Sequence, residues 1–244
     1  MLSLGEATRR LHPSARHHVG VRPIPVQQII GSEGREADFD RRFVPRRAAS
    51  LARRRALQRA FPSGDFPPIV VNKIGDAYFV VDGHHRISIA RRLGIETIDA
   101  DVTALTTRWR LDADADLDEL IHAEQEWLFM RDSGLELARP EARIRFTLPI
   151  GYAELLDAVR AHGYSLWQEE GTALSGPEVA AHWYDRIYLA TTASIRRGRV
   201  DGFCRNATDA DRFLNVRRVL RELQLERPRA TLDDAVRRLA PLPA

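Results

Sequence analysis

The chain has 244 residues, of which 44% are hydrophobic and 29% charged, and this composition is typical of folded globular domains rather than disordered chains. Its 37 basic and 34 acidic residues leave a net charge of only +3, and the single cysteine, Cys204, excludes an internal disulfide framework or a cysteine-built zinc site. No apolar run reaches the length of a membrane span, and the first residues contain no apolar core of a secretory signal. We therefore expect a cytoplasmic protein without a membrane partner.

Strands and helices are predicted in alternation over residues 23–105, which indicates an α+β domain. Residues 1–22 are polar with little periodicity, and we predict a flexible N-terminal arm there. The elements predicted within the domain are, in chain order, a strand at 23–30, a helix near 47–60, strands at 69–71 and 77–81, a helix at 84–93 and a strand at 95–102.

Residues 106–244 are predicted to form a mainly helical C-terminal region. Proline in the first turn and capping-box pairs mark where three of its helices begin. The predicted elements are an acidic helix at 116–131, a strand at 142–148, a helix at 153–162 closed by Gly163, a helix from Pro177 to Arg197, and helices opened by Thr208 with Asp211 and by Thr231 with Asp234.

Charge is distributed in blocks of opposite sign. Eight arginines and no carboxylate occupy residues 41–60, whereas seven carboxylates and no lysine or arginine occupy residues 112–126. Such blocks can pair within the fold or attract outside partners. We interpret the acidic block as a solvated helix face. The basic block is either a solvated face or a nucleic-acid contact, for which the candidates are Arg53, Arg54 and Arg55.

The most informative stretch is Val80-Val81-Asp82-Gly83-His84-His85-Arg86-Ile87-Ser88, where a strand ends and a helix begins. The first N–H groups of a helix lack intrahelical partners, and the helix dipole adds positive charge at the same place. Gly83 allows close approach of a ligand, Arg86 can fork onto two phosphate oxygens, and Ser88 lies within the first turn. The pattern predicts a phosphate site, with a plain Asp-Gly turn bearing surface histidines as the alternative.

This stretch, with Pro67-Pro68-Ile69-Val70-Val71 before it and Ala90-Arg91-Arg92-Leu93-Gly94 after it, resembles the ParB/sulfiredoxin superfamily over about residues 23–105. The resemblance is closest to stand-alone ParB-like proteins. It implies a mixed sheet with helices. In partition ParB proteins the corresponding loop binds CTP, in sulfiredoxin a related loop binds ATP, and in ParB-fold free serine kinases a similar loop serves phosphoryl transfer.

The resemblance also implies roles for single residues. Those implied to contact the phosphates of ATP, ADP or CTP are Gly83, His84, His85 and Arg86. Asp82 would orient Mg²⁺ or a substrate hydroxyl. The chain departs from sulfiredoxin, which has its catalytic cysteine near position 84, and no basic recognition helix of the partition ParB kind follows Val102. Sulfiredoxin repair and centromere binding are therefore not expected.

A second cluster, Gly31 to Arg42, follows the first predicted strand. By resemblance to the serine kinases Glu33 is the candidate base, with Glu36 as its rival. Arg35 is a candidate second phosphate ligand, and Asp38 with Asp40 can offer the hard oxygen ligands that suit Mg²⁺. The alternative is a solvated loop whose carboxylates pair with its own arginines.

The expected function is nucleotide binding with slow NTP hydrolysis, or phosphoryl transfer to a small hydroxyl substrate as in a small-molecule kinase. One alternative is a DNA-binding, partition-like regulator in which nucleotide switches a homodimer. Another is a nuclease whose metal would be held by Asp38, Asp40 and Asp82.

Overall fold

The computed structural model describes residues 1–46, 54–57, 59, 66–171, 173–198 and 206–240. The chain divides into two compact units, Met1–Ala123 and Glu124–Ala244. Within the described ranges, no helix combines the length and the apolar composition that crossing a bilayer requires.

The first unit is built on a six-stranded mixed sheet. Its strands are β1 (Leu2–Ser3), β2 (Ala15–Pro25), β3 (Ile29–Ser32), β4 (Ile69–Ile74), β5 (Ala77–Asp82) and β6 (Thr97–Thr106). They lie in the order β1-β3-β5-β4-β6-β2. The pairs β4–β5 and β2–β6 are antiparallel and the other neighbours are parallel. This sheet and its helices confirm the predicted α+β class.

Each face of the sheet carries its own apolar core, because successive residues of a strand point to opposite faces. Helices α1 (Leu4–Leu11) and α2 (His84–Leu93) pack on opposite faces of this sheet. Val80 of β5 shares one buried cluster with Ile87 of α2. Its neighbour Phe79 belongs to the opposite cluster, together with Leu4 of α1. Helix α2 is therefore fixed on one face, and its first turn directly follows the end of β5.

Residues 1–22 differ from the flexible arm predicted for them, since they form β1, α1 and most of β2. Strand β2 lies at an edge of the sheet and pairs with β6 along its length. Backbone hydrogen bonds hold such a strand while most of its side chains stay exposed, so a polar sequence without periodicity is compatible with it. In α1 the buried residues Leu4, Ala7 and Leu11 follow the helical period.

Every element described in the second unit is helical, which confirms the helical C-terminal region. The elements are α3 (Leu117–Ser133), whose first residues belong to the first unit, α4 (Leu135–Ala138), α5 (Gly151–Glu170), α6 (Gly176–Trp183), a π-helical turn (Tyr184–Tyr188), α7 (Leu189–Arg197), α8 (Asp209–Glu226) and α9 (Leu232–Leu239). Both predicted capping boxes are present, at the starts of α8 and α9. One buried cluster surrounds Trp183 and a second surrounds Val236.

Two predictions for this unit were wrong. Residues 142–148 form no strand. Their alternation is real, because Ile144 and Phe146 are buried while Arg145 between them is exposed, but this extended segment packs into a cluster of helices and not into a sheet. Gly163 does not end a helix, since α5 continues past it. A Cβ atom at Gly163 would lie 3.0 Å from Val179 of α6, so this glycine permits close packing of two helices.

Of the helix predicted near 47–60, residues 54–57 and 59 are helical, and the remainder lies outside the described residues. Cys204 also lies outside them.

Candidate functional site

The strand-to-helix corner at Gly83 requires glycine for two reasons. Gly83 is the N-cap of α2 and has φ +108° and ψ 14°, a left-handed conformation that side chains disfavour. A Cβ atom on it would lie 2.4 Å from Cγ2 of Ile69 in β4, which is closer than atoms can pack. Because glycine has no side chain, no side-chain hydrogen bond caps the first turn of α2. The corner therefore brings the positive end of the helix dipole to the end of β5, with no acidic residue in the first turn of α2.

His84 is buried beneath this corner, not exposed on it. Its Nε2 atom shares a hydrogen bond of 2.7 Å with the hydroxyl of Ser32 in β3. Its ring stacks on Phe39 with centroids 5.3 Å apart, and Phe43 lies at 6.2 Å. Burial, followed by the charge of Arg35, lowers the pKa of His84 to about 4. The imidazole is therefore neutral near pH 7 and packs as part of the core, so only its backbone amide is available as a phosphate donor.

His85 and Ser88 are also largely buried. The ring of His85 meets Phe39 edge to face at 5.2 Å. The hydroxyl of Ser88 accepts a hydrogen bond of 3.5 Å from Arg54. Both residues thus have packing or bonding roles in addition to their position in the first turns of α2.

Arg86 connects the corner to the chain that enters β4. Its Nη1 donates to the carbonyl oxygens of Pro67 and Pro68, at 2.9 and 2.7 Å, and its Nη2 pairs with the carboxylate of Asp82. The Arg86 side chain is only 16% exposed, whereas the Asp82 side chain is 72% exposed. Arg86 therefore holds the loop in place, and Asp82 presents an oxygen to solvent beside it.

A cleft of about 420 Å³ opens at this corner, and we call it the α2 cleft. The described residues that line it are Arg35, Leu57, Pro67, Asp82, Gly83, His84, His85 and Arg86. Arg35 comes from the loop after β3, where it donates twice to Asp38 at 3.2 Å and lies over the Phe39 ring. The fold thus brings Arg35, distant in sequence, to the predicted phosphate residues.

Glu33, the candidate base, does not line the α2 cleft among the described residues. Its neighbour Ser32 points to His84, and successive residues of an extended chain point to opposite sides. The Glu33 carboxylate instead accepts a hydrogen bond of 3.4 Å from Asn72, whose own oxygen accepts one from Arg16 at 3.3 Å. The structure therefore places Glu33 in a different polar network.

The carboxylates of the loop after β3 serve the loop itself. Asp38 binds Arg35, and Asp40 accepts 2.8 Å bonds from the backbone amides of Arg42 and Val44. In the described part of the chain no three metal-binding side chains converge, so the set proposed for a nuclease is not assembled there.

Of the candidate nucleic-acid-binding residues, Arg54 and Arg55 are among the described residues. Arg53 lies outside the described residues. Arg54 donates to Ser88, and Arg55 is exposed.

Sequence reasoning missed the three residues that support His84, namely Ser32, Phe39 and Phe43. Phe39 and Phe43 are fully buried although the segment around them is charged, and Ser32 is buried at the end of β3. Two aromatic residues four positions apart in a charged loop were the available signal.

Residues 12–115 match the family model of the ParB N-terminal domain. The match includes both the corner at Gly83 and the loop that carries Arg35. Among solved structures, the C2221 form of a Pnob8-like ParB-N domain is similar at 10% identity, covering 87% of this chain and 85% of that chain with a TM-score of 0.24, which is too low to support an argument. No curated protein matches the sequence. Residues 12–115 are therefore similar to ParB N-terminal domains, and over this segment the resemblance to the ParB/sulfiredoxin superfamily is confirmed.

Proposed function

We propose that the α2 cleft binds the phosphate groups of a nucleotide, with ATP, ADP and CTP as the candidates. The observation that carries this proposal is the meeting, in one cleft, of an uncapped helix N-terminus with the guanidinium groups of Arg35 and Arg86. Helix N-termini bind anions through unpaired amides and the dipole, and arginine adds charge and a forked donor set.

The contacts refine the roles expected from the sequence. Gly83 admits the phosphate to the backbone, and the first-turn amides of α2 donate to it, while the imidazole of His84 stays bonded to Ser32. Arg35 supplies the more adjustable charge, because its carboxylate partner Asp38 is three residues away on the same loop. Arg86 is already committed to two carbonyl oxygens and Asp82, so it acts chiefly by holding the corner in shape.

Asp82 fits the role of a single protein ligand to Mg²⁺. Mg²⁺ in nucleotide sites is usually held by one or two carboxylates together with the phosphates, and Asp82 presents an exposed oxygen at the cleft. A bound Mg²⁺ would neutralise part of the phosphate charge.

Slow hydrolysis, or transfer of a phosphoryl group to a small hydroxyl, extends the proposal and requires a base near the acceptor. Asp82 is the one carboxylate among the described residues that line the cleft, so it is the candidate for that role. Glu33 would have to leave Asn72 to take part. The geometry therefore supports binding more directly than it supports catalysis.

Binding is tested by titrating ATP, ADP and CTP with Mg²⁺ calorimetrically into the full chain and into Arg35→Gln. Loss of a charged hydrogen-bond donor costs about 1.5–3 kcal/mol of binding free energy. We therefore expect Arg35→Gln to lower the affinity for the tightest-binding nucleotide by roughly 10- to 100-fold. The matched control is Arg92→Gln, an exposed arginine in the last turn of the same helix. It lies about 12 Å along α2 from the first turn, beyond the screening length at physiological salt, and should change affinity less than about twofold.

Two results would contradict the proposal. One is the absence of binding by all three nucleotides at millimolar concentration. The other is an equal effect of Arg35→Gln and Arg92→Gln, which would indicate general charge attraction without a site.

A further inference from the structure

The helical unit contains a second cleft, of about 400 Å³, which we call the arginine cleft. Its apolar lining includes the buried residues Trp183, Phe213 and Leu214. Its polar lining includes His162 of α5 and the arginines Arg217 and Arg221 of α8. A concave site with an apolar lining and a few convergent charged groups is the usual form of a small-molecule site.

The backbone beside this cleft is irregular. The π-helical turn Tyr184–Tyr188 interrupts the long helix made of α6 and α7, and Ile187 within it also lines the cleft. A π-helical turn is rare within α-helices and is frequently found at functional sites. Here it follows Trp183 directly, so the irregularity falls beside the apolar lining of the cleft.

The arginines of this cleft are not equivalent. Arg218, which also lines it, pairs with Glu154, and Asp157 pairs with Arg160. In the described ranges of the chain no carboxylate forms an ion pair with Arg217 or Arg221. Burial of the guanidinium, and then the charge of Arg221, lower the pKa of Arg217. Arg217 and Arg221 are nevertheless exposed, so an anion can reach them, and two neighbouring cations that repel each other have an electrostatic reason to bind one.

A pair of histidines adjoins these arginines. Nε2 of His162 and Nδ1 of His182 share a hydrogen bond of 2.8 Å, and the rings stack with centroids 5.0 Å apart. Burial, then the nearby His182 and the charge of Arg217, lower the pKa of His162. A negative charge at Arg217 would remove part of this repulsion, so an anion and a proton on the histidine pair should favour each other.

We propose that the arginine cleft binds a small organic anion, with its carboxylate or phosphate held by Arg217 and Arg221 and its apolar body against the half-buried Ala158 and Ile187. A small molecule fits the observations better than a nucleic-acid backbone, because apolar residues lie beside the arginines in a concave site. This site lies wholly in the second unit, and it does not depend on nucleotide binding at the α2 cleft.

The test uses phenyl phosphate and phenylacetate as probes, titrated calorimetrically into the full chain. Benzyl alcohol has the apolar body without the charge, and inorganic phosphate has the charge without the body. We expect both aromatic anions to bind about tenfold or more tightly than either partial probe, because each of these lacks one part of the contact. Comparison of phenyl phosphate with phenylacetate distinguishes the two anionic groups.

Arg217→Gln should lower the affinity for the tighter-binding aromatic anion by about tenfold or more. The control is Arg238→Gln, which replaces an exposed arginine of α9 and should leave this affinity within about twofold of the parent value. The thermal midpoint of unliganded Arg217→Gln should equal or exceed that of the parent, because the repulsion by Arg221 is relieved. If this variant fails to fold, Arg221→Gln replaces it in the same comparison.

The affinity for phenylacetate should rise as the pH falls below 6.5, because the pKa of His162 is lowered from that value and a proton on His162 and an anion at Arg217 favour each other. The charged or titratable groups that surround the pair or line the cleft are His162, His182, Arg217, Arg218, Arg221, Glu154, Asp157 and Glu169.

Three outcomes would overturn the proposal. They are no binding of either aromatic anion at millimolar concentration, equal effects of Arg217→Gln and Arg238→Gln, and binding of a short DNA duplex that Arg217→Gln abolishes while phenyl phosphate fails to compete.

Discussion

The substitution Gly83→Ala tests the construction of the strand-to-helix corner. Two costs add at this position. A non-glycine residue held at φ +108° costs about 1–3 kcal/mol, and forcing a methyl group against Ile69 at 2.4 Å costs about 1–3 kcal/mol more. We therefore expect a loss of roughly 2–6 kcal/mol, a large part of the about 5–15 kcal/mol that stabilises a typical domain.

The matched control is Gly94→Ala at the other end of α2. Gly94 also has a positive φ, +70°, but a Cβ atom there meets nothing within 4 Å. Only the backbone cost of about 1–2 kcal/mol applies to it. The difference between the two variants therefore isolates the close approach of Gly83 to Ile69.

Hydrogen exchange of peptides that span β5 and α2 measures the free energy of local unfolding of these elements. It therefore reports on the first unit separately from the second, helical unit. We expect Gly83→Ala to lower protection clearly more than Gly94→Ala. Equal losses in the two variants would refute the argument that packing against Ile69, in addition to the backbone angle, requires glycine at the corner.

Three further perturbations have expected outcomes. Ser32→Ala removes the hydrogen-bond partner of the buried His84 ring and should cost about 1–3 kcal/mol in urea unfolding. Because the pKa of His84 is about 4 in the fold and 6.5 in the unfolded chain, stability of the first unit should decline as the pH falls from 6.5 to 4, by roughly 3 kcal/mol in total, and the decline should flatten in His84→Gln. Asp211→Ala removes the aspartate bonds of the capping box of α8 and also the bonds to Thr147, whereas Asp234→Ala removes only the aspartate bonds of the capping box of α9. In the same assay, the loss of unfolding free energy should be about 1–2 kcal/mol larger for Asp211→Ala.

Each of these has a contrary result. An unchanged midpoint in Ser32→Ala would mean that His84 finds another partner at no cost. Equal pH slopes for the parent and His84→Gln would place the pH dependence elsewhere. In the third case, burial opposes ionisation of Asp211, but hydrogen bonds from Thr147 and Thr208 outweigh it and lower its pKa. Equal costs of Asp211→Ala and Asp234→Ala would show that the bonds to Thr147 contribute nothing.

Local patterns predicted the elements that local physics controls. The sequence predicted the apolar strand β5, the glycine at its end, the helix to Leu93 and the αL cap at Gly94, because each depends on residues close in sequence. The sequence also predicted the capping boxes at Thr208 and Thr231, for the same reason. The sequence did not predict the edge strand β2. The position of this strand depends on pairing with β6, about eighty residues away, and not on an apolar period of its own.

The sequence alone determined where the corner at Gly83 lies, which residues surround it along the chain, and that the chain continues into a helical region. Tertiary structure decided what those residues do. It buried His84 against Ser32 and Phe39 and so left it neutral, tied Arg86 to the carbonyl groups of Pro67 and Pro68, and brought Arg35 to the cleft. The physical reason is that the charge and donor capacity of a side chain depend on burial and on partners distant in sequence, and these exist only once the chain has folded.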